Sequence, residues 1–337
     1  MIILGAGASY ADGAPLQGDL IGRLVSKQTT RAEKIRTGLA DLFGADVPGD
    51  TEGYPTLEEI LGVLDLALQR QESFRGYANQ GGNSRVGSLR EDIVLGIASE
   101  LDLKLRPNAI HNRALVDRLA ADERLLDTTF VSLNYDIVID NALVERHDVA
   151  DLDYGVDFVN FGDAPEQWHR PREERSVSLL KIHGSLNWLY CPACTALEIT
   201  PKAKGGARLG DLATEPKRCN CGASVVPILL PPTFFKVLNN VHLHRVWNKT
   251  ELALRAADRL IFCGYSFPDA DLLFKYAIKR AEVGRNKPWE VCIVNGRKGS
   301  SLEKRKTIER YERFLSTPNV KNTGLTFEKF AANGLDG

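Results

Sequence analysis

The chain opens with Met1-Ile-Ile-Leu-Gly5-Ala-Gly7-Ala-Ser9, an apolar run that leads directly into a Gly-x-Gly turn. The pattern predicts a short buried strand followed by a tight turn, as in a strand–helix–strand unit. Such a turn lets the backbone approach a pyrophosphate closely, and the next helix offers free N–H groups at its N-terminus. The dinucleotide fingerprint would place a third glycine at position 10, where this chain has Tyr10. The turn alone therefore fits either a dinucleotide site or a plain strand–helix corner.

The rest of the chain alternates between apolar runs and amphipathic stretches. The runs that predict strands are 128–133, 177–182, 225–230, 259–263 and 290–294. The stretches that predict helices are 14–27, 108–121, 135–146, 269–283 and 297–310. Strands that alternate with helices predict an α/β fold built on a doubly wound parallel sheet.

Residues 28–106 interrupt this alternation and carry no strand signal. Thr56-Leu-Glu-Glu59 forms a capping box at the start of a strongly helical run, and 91–105 is again helical. The Gly-, Asn- and Ser-rich stretch 74–90 predicts an exposed loop. We therefore expect a helical insertion at 28–106. The α/β domain is then assembled from residues 1–27, 107–185 and 225–337.

Composition restricts the class of protein. The 337 residues contain 43 Lys and Arg against 44 Asp and Glu, so a net charge of −1 gives no basic field that would indicate nucleic acid or an anionic membrane. Apolar residues make up 43% of the chain and charged residues 26%, as in an ordinary globular protein. No apolar run is long enough to span a bilayer, and Met1 leads into a strand rather than a signal peptide. We expect a cytoplasmic protein.

Four of the six cysteines fall into two close pairs, Cys191-Pro-Ala-Cys194 and Cys219-Asn-Cys221. In a cytoplasmic protein such pairs favour a metal over disulfides, and four thiolates suit a tetrahedral, structural zinc ion. The short spacing of the second pair leaves open whether it supplies both ligands, and four free thiols are the alternative. We expect a small zinc-binding module at 186–224. Cys263 and Cys292 lie alone in apolar strands and fit small buried hydrophobes.

Polar residues collect directly after the predicted strands. Because the carboxyl ends of parallel strands meet at one edge of a sheet, where ligands bind, five such segments predict one pocket. Each segment has a simpler explanation when taken singly: Asn134 and Asp136 would cap the next helix, Gly264 would be a turn residue, and His183 would be a structural hydrogen-bonder. The segments are Gly5–Ser9, Asn134–Asp136, His183–Ser185, Gly264–Ser266 and Asn295.

These segments resemble those of the sirtuin family in kind and in order. The likeness is strongest to the bacterial sirtuin-like branch, whose members carry Asn-Tyr-Asp, His-Gly-Ser and Gly-Tyr-Ser motifs. The matching stretches here are Ser132-Leu-Asn134-Tyr-Asp136, His183-Gly-Ser185 and Gly264-Tyr-Ser266. The resemblance implies a Rossmann-like domain, a smaller zinc-bearing module, and a site for nicotinamide adenine dinucleotide (NAD+) between them. It also implies cleavage of the bond between nicotinamide and ribose.

The resemblance implies roles for individual residues. It places Asn134 and Asp136 by the nicotinamide ribose and makes His183 the catalytic base, a task that suits a histidine because its free pKa is near ~6.5. Asp136 would either steady positive charge on the ribose or cap the following helix. The residues implied at the pyrophosphate are Gly5, Ala6, Gly7 and Ser9. Those implied at the phosphate and adenosine end are Gly264, Ser266 and Asn295.

Two motifs of the protein-deacetylating sirtuins are missing from this sequence. After the glycine turn, the chain reads Gly13-Ala-Pro-Leu-Gln-Gly18 in place of Gly-Ile-Pro-Asp-Phe-Arg. After the cysteines, it reads Val226-Pro-Ile-Leu-Leu-Pro-Pro232 in place of the Val-x-Phe-Gly-Glu segment that pairs with an acyl-lysine peptide. Two consecutive prolines disfavour such pairing. Without acyl-lysine, water becomes the default acceptor, and the products are nicotinamide and ADP-ribose or a cyclised ADP-ribose.

We therefore expect a sirtuin-like NAD+ hydrolase (an NAD+ glycohydrolase), similar to the NAD-depleting effectors of anti-phage defence. The resemblance also implies a homo-oligomer and an activating protein partner. One alternative is an NAD-dependent protein deacylase, which would require an acyl peptide for turnover. The other is a non-catalytic sensor of NAD+ or ADP-ribose, which would have no need of a base such as His183.

Overall fold

In a computed structural model of the chain, the opening strand lies at the centre of a parallel sheet. The structure describes residues 1–44, 55–77, 84–104, 109–162, 169–200, 218–230, 240–296 and 301–335. The strands in chain order are β1 (Ile2–Leu4), β2 (Phe130–Ser132), β3 (Asp151–Asp153), β4 (Ser176–Lys181), β5 (Gly184–Tyr190), β6 (Leu197–Ile199), β7 (Val226–Leu229), β8 (Arg259–Cys263), β9 (Glu290–Val294) and β10 (Val320–Asn322).

Helices alternate with the strands of this sheet, and several lie in the described parts of the segment between β1 and β2. In chain order they are α1 (Ala6–Tyr10), α2 (Gln17–Val25), α3 (Thr30–Phe43), α4 (Leu57–Gln69), α5 (Arg85–Lys104), α6 (Ile110–Ala121), α7 (Val138–Val144), α8 (Val241–Ala256), α9 (Leu272–Val283), α10 (Ser301–Phe314) and α11 (Phe327–Asn333). None of the helices in the described ranges is long and apolar enough to cross a membrane.

Within the described residues, seven strands form the parallel sheet in the order β10-β9-β8-β1-β2-β4-β3. β1 pairs with β2 through Ile2 and Phe130, and with β8 through Ile2 and Ile261. All three residues of β1 are buried, as expected for a strand covered on both faces. The predicted α/β fold with a doubly wound parallel sheet is therefore confirmed.

A second, antiparallel sheet of the described chain has the order β6-β5-β7. The prediction of a strand at 225–230 is confirmed in position, but that strand pairs with β5 and not with the parallel sheet. The pairing follows from a tight turn after β4, where Gly184 adopts a φ of +80° and turns β5 away from the parallel sheet. A Cβ at Gly184 would lie 2.0 Å from the Ile228 carbonyl oxygen, so glycine also permits the close approach of β7.

Some helix boundaries differ from the sequence expectation. The expected loop at 74–90 is wrong for its last part, because α5 begins at Arg85. The helix expected from Tyr135 begins only at Val138, whose N–H donates to Asp136 Oδ1 at 3.1 Å, so Asp136 precedes the helix. The capping box of Thr56 and Glu59 is present at the start of α4. Residues 201–217 of the expected zinc-binding module, and Pro231-Pro232, on which the argument against peptide pairing rests, lie outside the described residues.

Buried apolar residues of the described chain form two hydrophobic cores. The first lies around the parallel sheet and includes β1, β2, β4, β8 and β9. The second joins helices α2 to α5 to the antiparallel sheet, through contacts that include Leu186, Leu189 and Cys191. Helix α2 belongs to this second core, although the expected domain boundary places residues 1–27 with the parallel sheet. The exact boundaries of the helical insertion and of the zinc-binding module stay predictions.

Candidate active site

A cleft opens where strands of the parallel sheet end. It brings together residues that follow four different strands, because the carboxyl ends of parallel strands lie along one edge. The predicted site residues that line it are Gly5, Ala6, Ser9, Asn134, Asp136, His183, Gly264 and Ser266. The remaining two, Gly7 and Asn295, line a neighbouring cavity that also contacts Gly264.

The floor between the two cavities is made by direct contact of two glycine turns. Gly5 N–H donates to the Cys263 carbonyl at 2.9 Å, and Gly7 N–H donates to the Gly264 carbonyl at 2.8 Å. Gly264 has a φ of +59°, and a Cβ there would lie 2.3 Å from the Ala8 nitrogen. Any side chain at this position would therefore push the two turns apart. The glycines leave a floor of backbone atoms at which a ligand can approach the main chain.

The Asn134 side chain is fixed by the glycine turn. Its Nδ2 donates to the Gly5 carbonyl at 2.9 Å and to Ser9 Oγ at 2.8 Å. These two bonds use both amide hydrogens and set the orientation of the amide. The remaining polar atom, Oδ1, can accept a hydrogen bond from a hydroxyl or a water in the cleft.

The His183 ring is buried, with 3% of its surface exposed, and it lines the cleft. Its Nδ1 lies 3.0 Å from the Leu133 carbonyl oxygen. A carbonyl can only accept, so Nδ1 carries a proton and Nε2 presents the lone pair of the neutral ring. Nε2 lies 3.9 Å from Asp271 Oδ1, a carboxylate that sequence reasoning did not select. The arrangement can accept a proton at Nε2 from a group in the cleft.

Asp136 lines the same cleft but is buried. Burial raises the pKa of its carboxyl, and attraction to the Lys181 ammonium and a hydrogen bond from Ser9 offset part of that rise. Its acceptance of the Val138 N–H also places it at the start of α7. The two roles left open for Asp136, helix cap and cleft carboxyl, are therefore compatible in geometry.

A buried ion pair supports the loop after β2. Lys181 and Asp140 are each fully buried, and their Nζ and Oδ2 atoms lie 2.9 Å apart. Lys181 Nζ also donates to the Asp136 carbonyl, and the Tyr154 hydroxyl donates to Asp140 Oδ1 at 2.6 Å. Charged residues rarely lie inside an apolar strand, so Lys181 at the end of β4 was the sequence signal that could have indicated this network.

Further residues of the two cavities were not selected from sequence. In the first cleft, Leu20, Leu57 and Leu101 reach in from the helices of the second core. In the second cavity, Glu328 of α11 is a lining residue together with Asn295. The N–H of Gly296 donates to the Leu325 carbonyl at 2.8 Å and so attaches the segment before α11 to the end of β9. Because this hydrogen bond joins residues that are far apart in the chain, no local sequence pattern predicts it.

The four clustered cysteines converge as a metal site requires. Their sulfur atoms all lie within 4.8 Å of one another, and the Cys191–Cys221 and Cys194–Cys219 pairs are each 3.5 Å apart. Four sulfurs at about 2.3 Å from a tetrahedral zinc would be about 3.8 Å apart. The donor set and spacing fit zinc, and the one-residue spacing of Cys219 and Cys221 does not keep either sulfur out of the cluster.

Comparison with known proteins gives a matching family model and solved structures with low structural similarity. The chain is similar to a Sir2 homologue in complex with NAD, at 14% identity and a TM-score of 0.46 over 100% of this chain and 87% of that one. It is similar to Sir2Tm bound to a propionylated peptide, at 11% identity and a TM-score of 0.46 over 99% and 91%. It is also similar to Sir2 with a p53 peptide and NAD+, at 11% identity and a TM-score of 0.45 over 99% and 91%. No curated protein matches it.

The family model described as a SIR2-like domain matches residues 128–316. This range is more than half of the chain and includes Asn134, His183, Gly264 and the four clustered cysteines. The chain therefore belongs to the SIR2-like family.

Proposed function

We propose that this protein is an NAD+ hydrolase that breaks the bond between nicotinamide and ribose and releases ADP-ribose. The observation that carries the proposal is the meeting of two oriented side chains, the Asn134 amide and the His183 imidazole, in one cleft with a glycine floor. A binding protein would have no need of a base aimed into its ligand site. The two cavities on either side of Gly264 offer room for the two halves of a dinucleotide.

The dinucleotide is proposed to lie across the glycine floor. The pyrophosphate contacts the turn of Gly5, Ala6, Gly7 and Ser9, where the glycines place no side chain between the ligand and the main chain. The nicotinamide ribose lies near Asn134, Asp136 and His183. The adenosine end lies in the second cavity, with Gly264 and Ser266 on the way to it. Asn295 and the Glu328 carboxylate can accept hydrogen bonds there from ribose hydroxyls.

The chemistry requires little acid assistance. As the C–N bond breaks, its electron pair passes to the nicotinamide nitrogen, which becomes neutral, and the ribose gains oxocarbenium character. Water adds to the anomeric carbon, and its proton passes to His183 Nε2 and then to solvent. Asn134 Oδ1 orients the water or a ribose hydroxyl without adding charge. The reaction consumes NAD+ and water and yields nicotinamide, ADP-ribose and one proton.

The backbone at the end of β7 favours water over an acyl-lysine peptide as the acceptor. A peptide could add to this edge strand through main-chain hydrogen bonds. Leu230 N–H already donates to the His183 carbonyl at 2.9 Å, and the Tyr135 hydroxyl donates to the Leu230 carbonyl at 2.6 Å. Pro227 within β7 has no N–H to offer. These groups are therefore unavailable for pairing with a substrate peptide.

The four cysteines are proposed to hold a structural zinc ion, since all four positions around it would be filled by thiolates. By resemblance to sirtuin-like proteins, we further propose that the hydrolase depletes NAD+ as a cytoplasmic effector of anti-phage defence. A homo-oligomer and an activating protein partner are proposed on the same basis.

The test measures NAD+ loss and product identity with purified protein and no acyl peptide. We expect nicotinamide and ADP-ribose from the wild type and from His147→Ala, a control at an exposed histidine. His183→Ala and Asn134→Ala should bind NAD+ but release at least about 100-fold less nicotinamide. Turnover that depends on acyl peptide would instead identify a deacylase.

If the purified wild type causes no NAD+ loss, NAD+ is measured in phage-infected cells that express wild type or His183→Ala. Equal NAD+ in both, with NAD+ bound by the pure protein, would identify a sensor.

A further inference from the structure

We infer that Asp271 is a positioning residue for His183: its carboxylate orients the imidazole and stabilises the ring once Nε2 has taken a proton. The inference deepens the proposed function and rests on it for the reaction, while the coupling of the two side chains can be measured without turnover. Asp271 comes from the loop after β8 and His183 from the turn after β4, so the fold brings them together from distant parts of the chain.

The Asp271 carboxylate is held in a defined orientation. Its Oδ2 accepts a hydrogen bond from the Tyr265 hydroxyl at 2.9 Å, and its Oδ1 lies 3.9 Å from His183 Nε2. Tyr265 is itself fixed, because its carbonyl accepts from the buried Tyr311 hydroxyl at 2.9 Å. Asp271 is 7% exposed and lines the same cleft as His183. One carboxylate oxygen is thus hydrogen-bonded to the Tyr265 hydroxyl, while the other faces the His183 ring.

The groups on either side of the His183 ring favour its protonated form. Nδ1 faces the Leu133 carbonyl and Nε2 faces the Asp271 carboxylate, and both of these partners can only accept. The neutral ring has one N–H and satisfies one of them, whereas the imidazolium has two. A distance of 3.9 Å is too long for a hydrogen bond but within the range of an ion pair, and such contacts can tighten when a ligand binds.

Within the described part of the chain, the other ionisable groups at the cleft are less suited to this stabilisation. The Lys181 charge is matched by Asp140 at 2.9 Å. Asp136 is itself disfavoured as an anion by burial, which raises its pKa. Of the described lining residues, Tyr135 and Tyr265 are also ionisable; burial raises the pKa of both hydroxyls well above the usual value, so both are neutral. Among the described residues that line the cleft, Asp271 is therefore the carboxylate placed to balance an imidazolium at 183.

In the proposed reaction, the attacking water loses its proton as its oxygen bonds to the anomeric carbon and the C–N electron pair leaves with nicotinamide. His183 Nε2 receives that proton and becomes positively charged. Asp271 does not accept this proton. It lowers the free energy of the charged His183 ring and keeps Nε2 directed into the cleft. Its removal should leave NAD+ binding in place and weaken the base.

The test is an NMR titration of the His183 ring in full-length wild type, Asp271→Asn and Asp269→Asn, with the resonance assigned by its absence in His183→Ala. Asp271→Asn keeps an acceptor for the Tyr265 hydroxyl, so folding should be retained. Asp269, in the same loop, is 70% exposed and pairs with Lys275, and it serves as the matched control. We expect the titration midpoint of His183 to fall by at least about one pH unit in Asp271→Asn and to stay unchanged in Asp269→Asn.

Activity gives the second readout. A base must be unprotonated to act, so the acid limb of kcat/KM should move to lower pH by the same amount in Asp271→Asn, with lower kcat and unchanged KM for NAD+. An unchanged midpoint in a folded Asp271→Asn protein would overturn the inference whatever the activity. A shifted midpoint, in a protein that causes no NAD+ loss either when purified or in phage-infected cells, would keep the coupling and reject the proposed function.

Discussion

Asn134 and His183 are oriented by backbone carbonyls of neighbouring turns, those of Gly5 and Leu133. A carbonyl in a packed turn has one position and no rotamers, so these bonds fix each side chain more firmly than a side-chain partner would. The carboxylates are different, because Asp136 and Asp271 depend on burial and on hydroxyl donors. We therefore expect the two carboxylates to influence the protonation of neighbouring groups. The Asn134 amide and the His183 imidazole should set the geometry of the cleft.

Asp136→Asn should raise the stability of the fold at neutral and alkaline pH. Burial raises the pKa of this carboxyl above its unfolded value, so its ionised form destabilises the fold above the folded pKa. That penalty decreases as the pH falls through the folded pKa and is gone below the unfolded one. Thermal unfolding should show a higher Tm for the variant at about pH 8 and no difference at about pH 3. A lower Tm under the alkaline condition would contradict the prediction.

Lys181→Met should strongly destabilise the protein, because it leaves the Asp140 carboxylate buried without its cation. Breaking one side of a buried pair costs about 3–5 kcal/mol. Combining Lys181→Met with Asp140→Asn should recover most of that loss, since the new amide is neutral and its oxygen could still accept from the Tyr154 hydroxyl. Denaturant unfolding of the two single variants and the double variant measures the coupling. Additive losses would show that the two residues act independently.

At the scale of elements, the contact between the turns after β1 and β8 sets the shape of the cleft. Gly264→Ala places a methyl group against Ala8 and in an unfavourable backbone conformation. We expect loss of NAD+ binding and a lower unfolding temperature. Gly18→Ala is the control, because a Cβ there meets no atom within 4 Å and α2 favours alanine. Calorimetric titration with NAD+ checks both variants, and normal binding by Gly264→Ala would show that the turns can separate harmlessly.

The elements that the sequence predicted well are those that a local sequence pattern determines. Three apolar residues before Gly5, and the polar residues after β2 and β8, mark buried strands and their ends without reference to the rest of the chain. The pairing of β5 with β7 had no such mark, because it depends on a turn at Gly184 and on chain segments that the cysteines bring together. Asp271 and Glu328 were missed for the same reason: the position of each depends on contacts between segments that are distant in the chain.

At the scale of the whole molecule, the first cleft lies where the two hydrophobic cores meet. Leu133 and Tyr265 of its lining belong to the core of the parallel sheet, whereas Leu20, Leu57 and Leu101 belong to the core of the helices and the small sheet. The glycine floor and the polar side chains are thus on one side and the apolar wall is on the other. A change in the second core should therefore alter how well water is excluded from the cleft, without touching Asn134 or His183.

The cysteine cluster connects directly to this apolar wall. Cys191 and Cys219 are buried in the second core, together with Leu186 and Leu189 of β5. Next to the cluster, His242 of α8 donates through Nε2 to the Thr195 carbonyl at 2.8 Å, which joins the cysteine loop to a helix of the first core. A metal ion held here would stabilise both contacts.

Removal of the metal should therefore weaken NAD+ binding from a distance. We expect one zinc per chain by elemental analysis, lost on chelation or in Cys194→Ser, a substitution at an exposed ligand that leaves the second core filled. Cys292→Ala, outside the cluster, should keep its zinc. Hydrogen exchange should speed up in β5, β7, α4 and α5 while β1, β2 and β8 stay protected, because the two cores can open separately. Affinity for NAD+ should fall with the exchange protection and return when zinc is restored. Unchanged affinity in a zinc-free protein with a loosened second core would mean that the parallel sheet binds NAD+ alone and that the apolar wall serves only the chemical step.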